Sequence, residues 1–480
     1  MNLSNQKLAV GGTYEHYLRT KVSLYMFTID QLDKVIKAYD VRGLVSKEIT
    51  PDFSFVLATA FARFLQEERE PGTVVIGQDM RPSSEPLASA FADGVTSQGL
   101  DVIRMGLAST DMLYFASGSL NLPGVMFTAS HNPAAYNGMK LAKSGARPIG
   151  SESGLNRIKD LMTKGVPINS RGIGRITERN MLPEYVDFLL SLFGKKEFSG
   201  KRKLKVVIDA GNGMAGYTAP AIMERLNVEV IPMYFELDGN FPNHEANPLD
   251  PKNLKDLVKE VKRSGADIGL AFDGDADRCF LVDENGDLVN PSTLTSLIAI
   301  RELKRKPKSK IIYNLISSQA VPEIVSEHGG VPIRSRVGHS YIKKMMADTG
   351  AIFGGEHSGH FYFADFWKAD SGALAALYAI AELSASKKTL SELLAPLNRY
   401  VSSGEVNTKV SDPQDAVDFV KESFKQDYAI DELDGVTVTG PDWWFNVRPS
   451  NTEPLLRLNV EAKTPERMKQ VRDQVLALFR

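Results

Sequence analysis

Ile268-Gly269-Leu270-Ala271-Phe272-Asp273-Gly274-Asp275-Ala276-Asp277-Arg278 runs from a short apolar segment into three carboxylates at alternate positions. The apolar segment reads as a buried strand, and the acidic segment as the loop at its end. Alternate carboxylates in an extended turn converge on one cation, and Gly274 permits the bend. A solvated acidic turn is the competing reading. The strand before the loop and Arg278 after it favour the cation site, and its hard oxygen donors suit Mg²⁺. Glu284-Asn285-Gly286-Asp287 then marks a hairpin turn.

The same order of strand, loop and helix recurs on both sides. Thr73-Val74-Val75-Ile76 is a short strand followed by a helix from about Ser84. Val125-Met126-Phe127 runs into Thr128-Ala129-Ser130-His131-Asn132-Pro133. Leu204–Asp209, Ile311–Leu315 and Ile352–Phe353 read as further strands. Strands alternating with helices predict parallel sheets covered by helices. A polar linker at 165–182 precedes a predicted helix over Pro183–Gly194, stopped by its glycine. The C-terminal part differs. Trp443–Val447 and Leu455–Val460 resemble two strands, and a last helix starts with Thr464 as N-cap and Pro465 at its first position. Met468, Val471, Val475 and Leu478 give that helix one apolar face. The expected fold class is α/β, with three α/β units and a smaller α+β unit.

The 480 residues are 43% hydrophobic and 24% charged, with a formal net charge of −2. That is material for several cores, without the basic excess of a nucleic-acid binder. No apolar run reaches the ~18 residues of a membrane span. Residues 1–25 read as a loose extension without a secretory signal, and Met26 is an alternative start. The single cysteine, Cys279, heads an apolar run and reads as core, which fits a reducing cytoplasm.

Four loops carry chemistry-bearing side chains. Ser130 sits before Pro133, where a helix N-cap is the ordinary role of a serine. A phosphoserine beside a cation is instead a ready phosphoryl donor. His131 and Asn132 can orient that loop, and Lys140 can supply positive charge or a proton. Gly355-Glu356-His357-Ser358-Gly359-His360 combines an acid, a hydroxyl and two imidazoles, a set suited to sugar hydroxyls and proton transfer. Arg448-Pro449-Ser450-Asn451-Thr452-Glu453-Pro454 offers donors for a phosphate, or simply a polar hairpin. Gly211-Asn212-Gly213-Met214-Ala215-Gly216 fits G-x-G-x-x-G, with Glu229 and Glu236 beyond it, and keeps an NAD-dependent dehydrogenase as a second hypothesis. A strand-to-helix turn needs the same glycines for geometry alone.

Taken together, these residues resemble the α-D-phosphohexomutase superfamily from about Ala38 to the C-terminus. Ala38-Tyr39-Asp40-Val41-Arg42-Gly43 resembles its N-terminal signature. T-A-S-H-N-P at 128–133 resembles its phosphoserine loop, D-G-D-A-D-R at 273–278 its metal loop, G-E-H-S-G-H at 355–360 its sugar loop, and R-P-S-N-T-E-P at 448–454 its phosphate loop. The resemblance implies four domains around a central cleft, the first three with mixed sheets. They would follow the extension 1–25 as 26–175, 176–287, 288–399 and 400–480. It implies phosphorylation of Ser130, and Mg²⁺ held by that group with Asp273, Asp275 and Asp277. Arg42, His131, Lys140, Arg278 and His360 would serve the chemistry, with Lys140 and His360 as candidate acid and base. Tyr39, Arg336, His339, Glu356, Ser358, Arg448, Ser450, Asn451, Thr452 and Arg457 would bind substrate. The implied reaction interconverts hexose 1- and 6-phosphates through a hexose 1,6-bisphosphate. The form of the sugar loop favours mannose, with a phosphoglucomutase or a dual-specificity phosphohexomutase as the runner-up, and His357 occupies its variable position. A metal-dependent sugar phosphatase remains the alternative that would use the same acidic loop. The expected ligand is a small hexose phosphate. No nucleic acid, membrane or obligatory protein partner is expected.

Overall fold

The structure, a computed structural model, describes residues 27–167, 172–194, 197–198, 202–449 and 455–479, with all their side chains except those of residues 339 and 340. The expected N-terminal extension lies outside the described residues, as do Ser450, Asn451 and Thr452.

Four sheets follow one another along the chain. The first runs Val41–Leu44, Tyr136–Lys143, Gly124–Phe127, Thr73–Gln78, Asp101–Leu107 and Ile176–Glu178, with Arg147–Pro148 beside Tyr136–Lys143. The second runs Leu288–Val289, Cys279–Asp283, Ile268–Phe272, Leu204–Asp209 and Val228–Met233. The third runs Val331–Ser335, Lys310–Asn314, Phe353–Gly355, Phe361–Phe363 and Ala369–Asp370. The fourth, Val401–Lys409, Leu455–Ala462, Trp443–Pro449, Val436–Thr439 and Ala429–Asp431, is antiparallel throughout.

The first three sheets are mixed, and they are mixed in the same way. Each has a parallel centre whose last strand pairs with an antiparallel neighbour. Phe127 leads to Tyr136, Phe272 to Cys279 and Gly355 to Phe361. The serine, acidic and sugar loops are those three connections. The segment after Pro449 likewise joins two antiparallel neighbours. The architecture thus repeats where no repeat was legible in the residues, because backbone pairing needs only apolar strands of the right length.

One core runs through the first three units, from Met112 and Tyr185 to Leu204, Phe353 and Leu374. The C-terminal unit has its own core of Val420, Phe445, Leu458 and Val475. It docks on the third unit through polar contacts. Gln319 N donates to Glu461 Oε2 at 2.8 Å, and Arg334 Nη2 to Thr437 Oγ1 at 2.9 Å.

Several boundaries differ from expectation. Ile176–Glu178 pairs in parallel with the Asp101–Leu107 strand, so the first sheet extends past residue 175. Leu288–Val289 extends the second sheet past residue 287. The helix expected over Pro183–Gly194 is Leu182–Ser191, and the Gly194 amide is taken up by the Glu197 side chain. The last helix is Pro465–Ala477 with Thr464 accepting from Arg467 N, which leaves Leu478 at its C-cap. Cys279 opens a strand and is buried, with its thiol pKa pushed up by burial. No helix among the described residues is long and apolar enough to cross a membrane.

Candidate active site

The serine and acidic loops meet. Ser130 Oγ donates to Asp273 Oδ2 at 2.7 Å, and Arg278 Nη2 donates to Ser130 Oγ at 3.3 Å. Ser130 has φ +49, a left-handed backbone uncommon for a residue with a Cβ. It is no helix N-cap, since the chain turns onward into the Tyr136–Lys143 strand. Gly274 has a different reason from the one read in the sequence. A Cβ there would lie 2.4 Å from the Ser130 carbonyl oxygen, so glycine is needed for the approach of the two loops. The left-handed turn falls on Ala276, φ +60.

Arg81 holds the serine loop from behind. Its side chain is fully buried, and it donates to the carbonyl oxygens of Ser130, Asn132, Pro133 and Tyr136 at 2.7–3.0 Å. Asp79 pairs with it at 3.2 Å, and Phe241 from the second unit lies under it, 5.1 Å from ring centre to guanidinium carbon.

The three aspartates cluster. Asp273, Asp275 and Asp277 are buried, and a carboxylate oxygen of each lies within 4.8 Å of the others. Asp275 Oδ1 and Asp277 Oδ1 are buried without a hydrogen-bond partner. Unsatisfied carboxylate oxygens gathered out of water fit a divalent cation. The positive charges around the cluster are Lys140 and Arg278. Lys140 Nζ lies 2.7 Å from Asp275 Oδ2 and 2.5 Å from Asp277 Oδ2. Burial pulls the Lys140 pKa down, but these two carboxylates outweigh it and hold it well above the ordinary value. Arg278 Nε donates to Asp273 Oδ2 at 2.8 Å, and its Nη2 donates to His131 Nδ1. The Arg278 charge, then burial, holds the His131 pKa well below the ordinary value, so that ring is neutral. Arg42 Nη1 reaches Asn132 Oδ1 at 2.6 Å.

The sugar loop closes over the acidic loop. Cys279 N donates to Gly359 O at 3.4 Å, and Arg278 and His360 form a backbone bridge. His360 Nδ1 is 2.9 Å from Asp370 Oδ2 and 3.8 Å from Asp277 Oδ1. Burial lowers the His360 pKa, but Asp277 and Asp370 more than offset it and raise it. Glu356 is buried, accepting from Tyr362 Oη at 2.6 Å and from Gly338 N at 3.2 Å. Ser358 is half-buried in the same loop. His357 turns toward the C-terminal unit, where it feels the charges of Glu405 and Arg448. Burial lowers its pKa, and its Nδ1 has no hydrogen-bond partner.

The remaining expected residues lie around this centre. Tyr39 packs edge-on against Tyr341 at 6.0 Å, joining the first and third units. Arg336 Nε donates to Leu433 O at 2.7 Å in the C-terminal unit. His339 heads the helix His339–Thr349. Arg448 and Arg457 face each other across neighbouring strands, and Glu405 lies between them, 2.7 Å from Arg448 and 3.4 Å from Arg457. Glu405 was not legible in sequence, nor were Asp370, Arg81 and Thr110, whose Oγ1 donates to Asp275 Oδ2 at 2.6 Å. Only Arg81 left a signal, an Asp-x-Arg step just past a buried strand.

The Gly211–Gly216 turn serves the acidic loop. Met214 N donates to Gly274 O at 2.9 Å, and a Cβ on Gly213 would lie 2.7 Å from that oxygen. Glu229 and Glu236 are exposed. The glycines serve packing, against the dehydrogenase hypothesis.

Four family models match in order: Phosphoglucomutase/phosphomannomutase, alpha/beta/alpha domain I over residues 33–167, domain II over 183–286, domain III over 290–400, and the C-terminal domain over 405–478. A phosphomannomutase of Escherichia coli (strain K12) is 40% identical over 451 residues, covering 92% of this chain and 97% of that one. A protein of Xanthomonas campestris pv. campestris named phosphohexose mutases is 38% identical over 444 residues, covering 92% and 98%. Among solved structures, a phosphoglucomutase/phosphomannomutase family protein from Burkholderia thailandensis superposes with a TM-score of 0.85 at 30% identity, covering 94% of this chain and 97% of that one.

Proposed function

This chain belongs to the phosphoglucomutase/phosphomannomutase family, and we propose that it is a phosphomannomutase interconverting mannose 1-phosphate and mannose 6-phosphate. The observation that carries this reading is the 2.7 Å contact of Ser130 Oγ with Asp273, inside a cluster of three buried carboxylates. The names of its curated relatives favour mannose over glucose as the working sugar. The ligand is accordingly a hexose phosphate, and the enzyme works in the cytoplasm.

Asp273, Asp275 and Asp277 would hold Mg²⁺ together with a phosphate on Ser130. The ion would neutralise phosphate charge and lower the cost of transfer. The chain's own residues do the rest. Arg278 and Arg42 draw the transferring group's oxygens into place. The sugar hydroxyl gives its proton to His360 as its oxygen bonds to phosphorus. The bond from phosphorus to Ser130 Oγ breaks, and Lys140, held protonated, gives its proton to the leaving Oγ. The product is a hexose 1,6-bisphosphate. It turns over within the cleft, and its other phosphate passes to Ser130 Oγ, whose proton returns to Lys140 while His360 gives its proton to the released sugar oxygen. Glu356 and Ser358 would hold sugar hydroxyls. Arg448, Arg457 and the segment after Pro449 would hold the phosphate that is not reacting. The polar contacts between the third and C-terminal units support a C-terminal unit that moves as the bisphosphate turns.

The test compares turnover of mannose 1-phosphate and glucose 1-phosphate with Mg²⁺ and a trace of hexose 1,6-bisphosphate, in wild-type and Ser130→Ala proteins. A mannose preference that disappears with Ser130 is the expected result. Full turnover by Ser130→Ala would sink the reading. Release of inorganic phosphate without isomer formation would make the protein a phosphatase.

A further inference from the structure

Asp111 is a single side chain on which all three α/β units converge. It lies in the first turn of the helix Thr110–Leu120 and is fully buried. Its carboxylate accepts three hydroxyl hydrogen bonds. Ser109 Oγ donates to Oδ1 at 2.5 Å within the first unit. Tyr185 Oη, from the helix Leu182–Ser191 of the second unit, donates to Oδ2 at 2.7 Å. Ser371 Oγ, from the third unit, donates to the same oxygen at 2.6 Å. Burying a carboxylate among neutral donors is an expensive way to bolt three units together, since an apolar contact would do it more cheaply.

The neighbours of these residues reach the site. Thr110 Oγ1 donates to Asp275 Oδ2 at 2.6 Å, and Thr110 N to the Asp275 carbonyl at 3.0 Å. Ser371 follows Asp370, whose carboxylate lies 2.9 Å from His360 Nδ1. One helical turn past Asp111, the Tyr114 ring carries the Lys343 ammonium 4.0 Å from its centre, and Lys343 pairs with Asp370 at 2.6 Å. One end of one helix therefore touches the acidic loop through Thr110 and the support of His360 through Asp111 and Tyr114.

We propose that Asp111 is a positioning residue that sets the separation between the metal-holding carboxylates of the second unit and His360 of the third. Its bond with Tyr185 holds the second unit against Thr110, and so Asp275 in place. Its bond with Ser371 holds Asp370, and so His360, in place. The inference rests on the mutase reading only for the role of His360. Its metal limb stands on the carboxylate cluster alone.

The two limbs separate experimentally. The full-length protein is titrated with Mn²⁺ alone, and mannose 1-phosphate turnover is measured alongside. Asp111→Asn is expected to weaken Mn²⁺ binding at least fivefold and lower kcat at least tenfold with KM within threefold. Tyr185→Phe should weaken Mn²⁺ binding. Ser371→Ala should lower kcat and leave Mn²⁺ binding unchanged. These two variants remove single hydroxyls and serve if Asp111→Asn does not fold. An unrelated core variant, Ile158→Ala, controls for lost stability. If Tyr185→Phe and Ser371→Ala bind Mn²⁺ and turn over like wild type, or if all variants lose both properties in parallel with Tm, the positioning role is wrong. If wild type binds Mn²⁺ but turns over no hexose phosphate, the mutase reading fails, while the Mn²⁺ titrations still decide the role of Asp111.

Discussion

Ser130 Oγ and Asp273 Oδ2 are 143 positions apart in the chain and 2.7 Å apart in the fold. A phosphate on Ser130 would replace that hydrogen bond with a dianion facing three buried carboxylates, and like charges at such range repel strongly out of water. The rise in Tm on adding Mg²⁺ is therefore expected to be several degrees larger for protein phosphorylated at Ser130 than for dephosphorylated protein. Thermal denaturation of both forms with and without Mg²⁺ checks this. Equal rises would separate the serine from the cation site.

Removing Arg81 should damage the serine loop and the fold together. Arg81→Met takes a side-chain donor from four carbonyl oxygens, of which that of Pro133 keeps the Tyr136 amide, and leaves Asp79 without its cation. Breaking a buried ion pair on one side costs about 3–5 kcal/mol. Urea denaturation should show a loss of that order, and adding Asp79→Asn to the variant should recover part of it. Activity should not return, because Ser130 would still lack the support of its left-handed backbone.

Glu405 competes for the arginines expected to hold phosphate. It spans Arg448 and Arg457, whose like charges face each other across strands. Glu405→Gln removes the negative charge between them, so inorganic phosphate is expected to bind several-fold tighter by calorimetry. Turnover should fall, since a bisphosphate held more tightly turns over more slowly. Weaker phosphate binding in the variant would show that Glu405 organises the arginines and does not compete for them.

Asp111 also predicts a pH dependence. Burial, reinforced by Asp277 and opposed by its three hydroxyl donors, pushes its carboxyl up from 3.8 to about 6. The group is an acid with a raised folded pKa, so the fold favours its protonated form. Its contribution to stability is fully present below pH 3.8 and is lost as pH rises through about 6. Wild type should therefore gain stability relative to Asp111→Asn, by on the order of 3 kcal/mol, between pH 7 and pH 4. Urea melts of both proteins across that range measure the difference. A constant difference would mean that Asp111 does not titrate there.

The strands were legible wherever an apolar run ended in a turn. Ile268–Phe272 and Leu204–Asp209 are strands as read, and Thr464 and Pro465 start the last helix as read. Boundaries slipped where the decision was tertiary. Ile176–Glu178 reads as part of a linker because Ile176 is its single apolar residue, and it is a strand only because Asp101–Leu107 offers it an edge.

By itself the sequence determined which side chains could do chemistry. Ser130, the three aspartates and His360 stand in short polar loops after apolar strands, a pattern that local composition records directly, and Lys140 lies in the strand that follows the serine loop. It also determined an α/β architecture, because strand and helix follow from periodicity. Only the tertiary structure decided what those loops do to one another. Gly274 is glycine because the Ser130 backbone passes over it, and Lys140 is charged because it sits between Asp275 and Asp277. Asp111 matters because three units converge on it. Hydrogen bonds and charge interactions depend on separation in space, and residues more than a hundred positions apart carry no mark of that separation in their order along the chain.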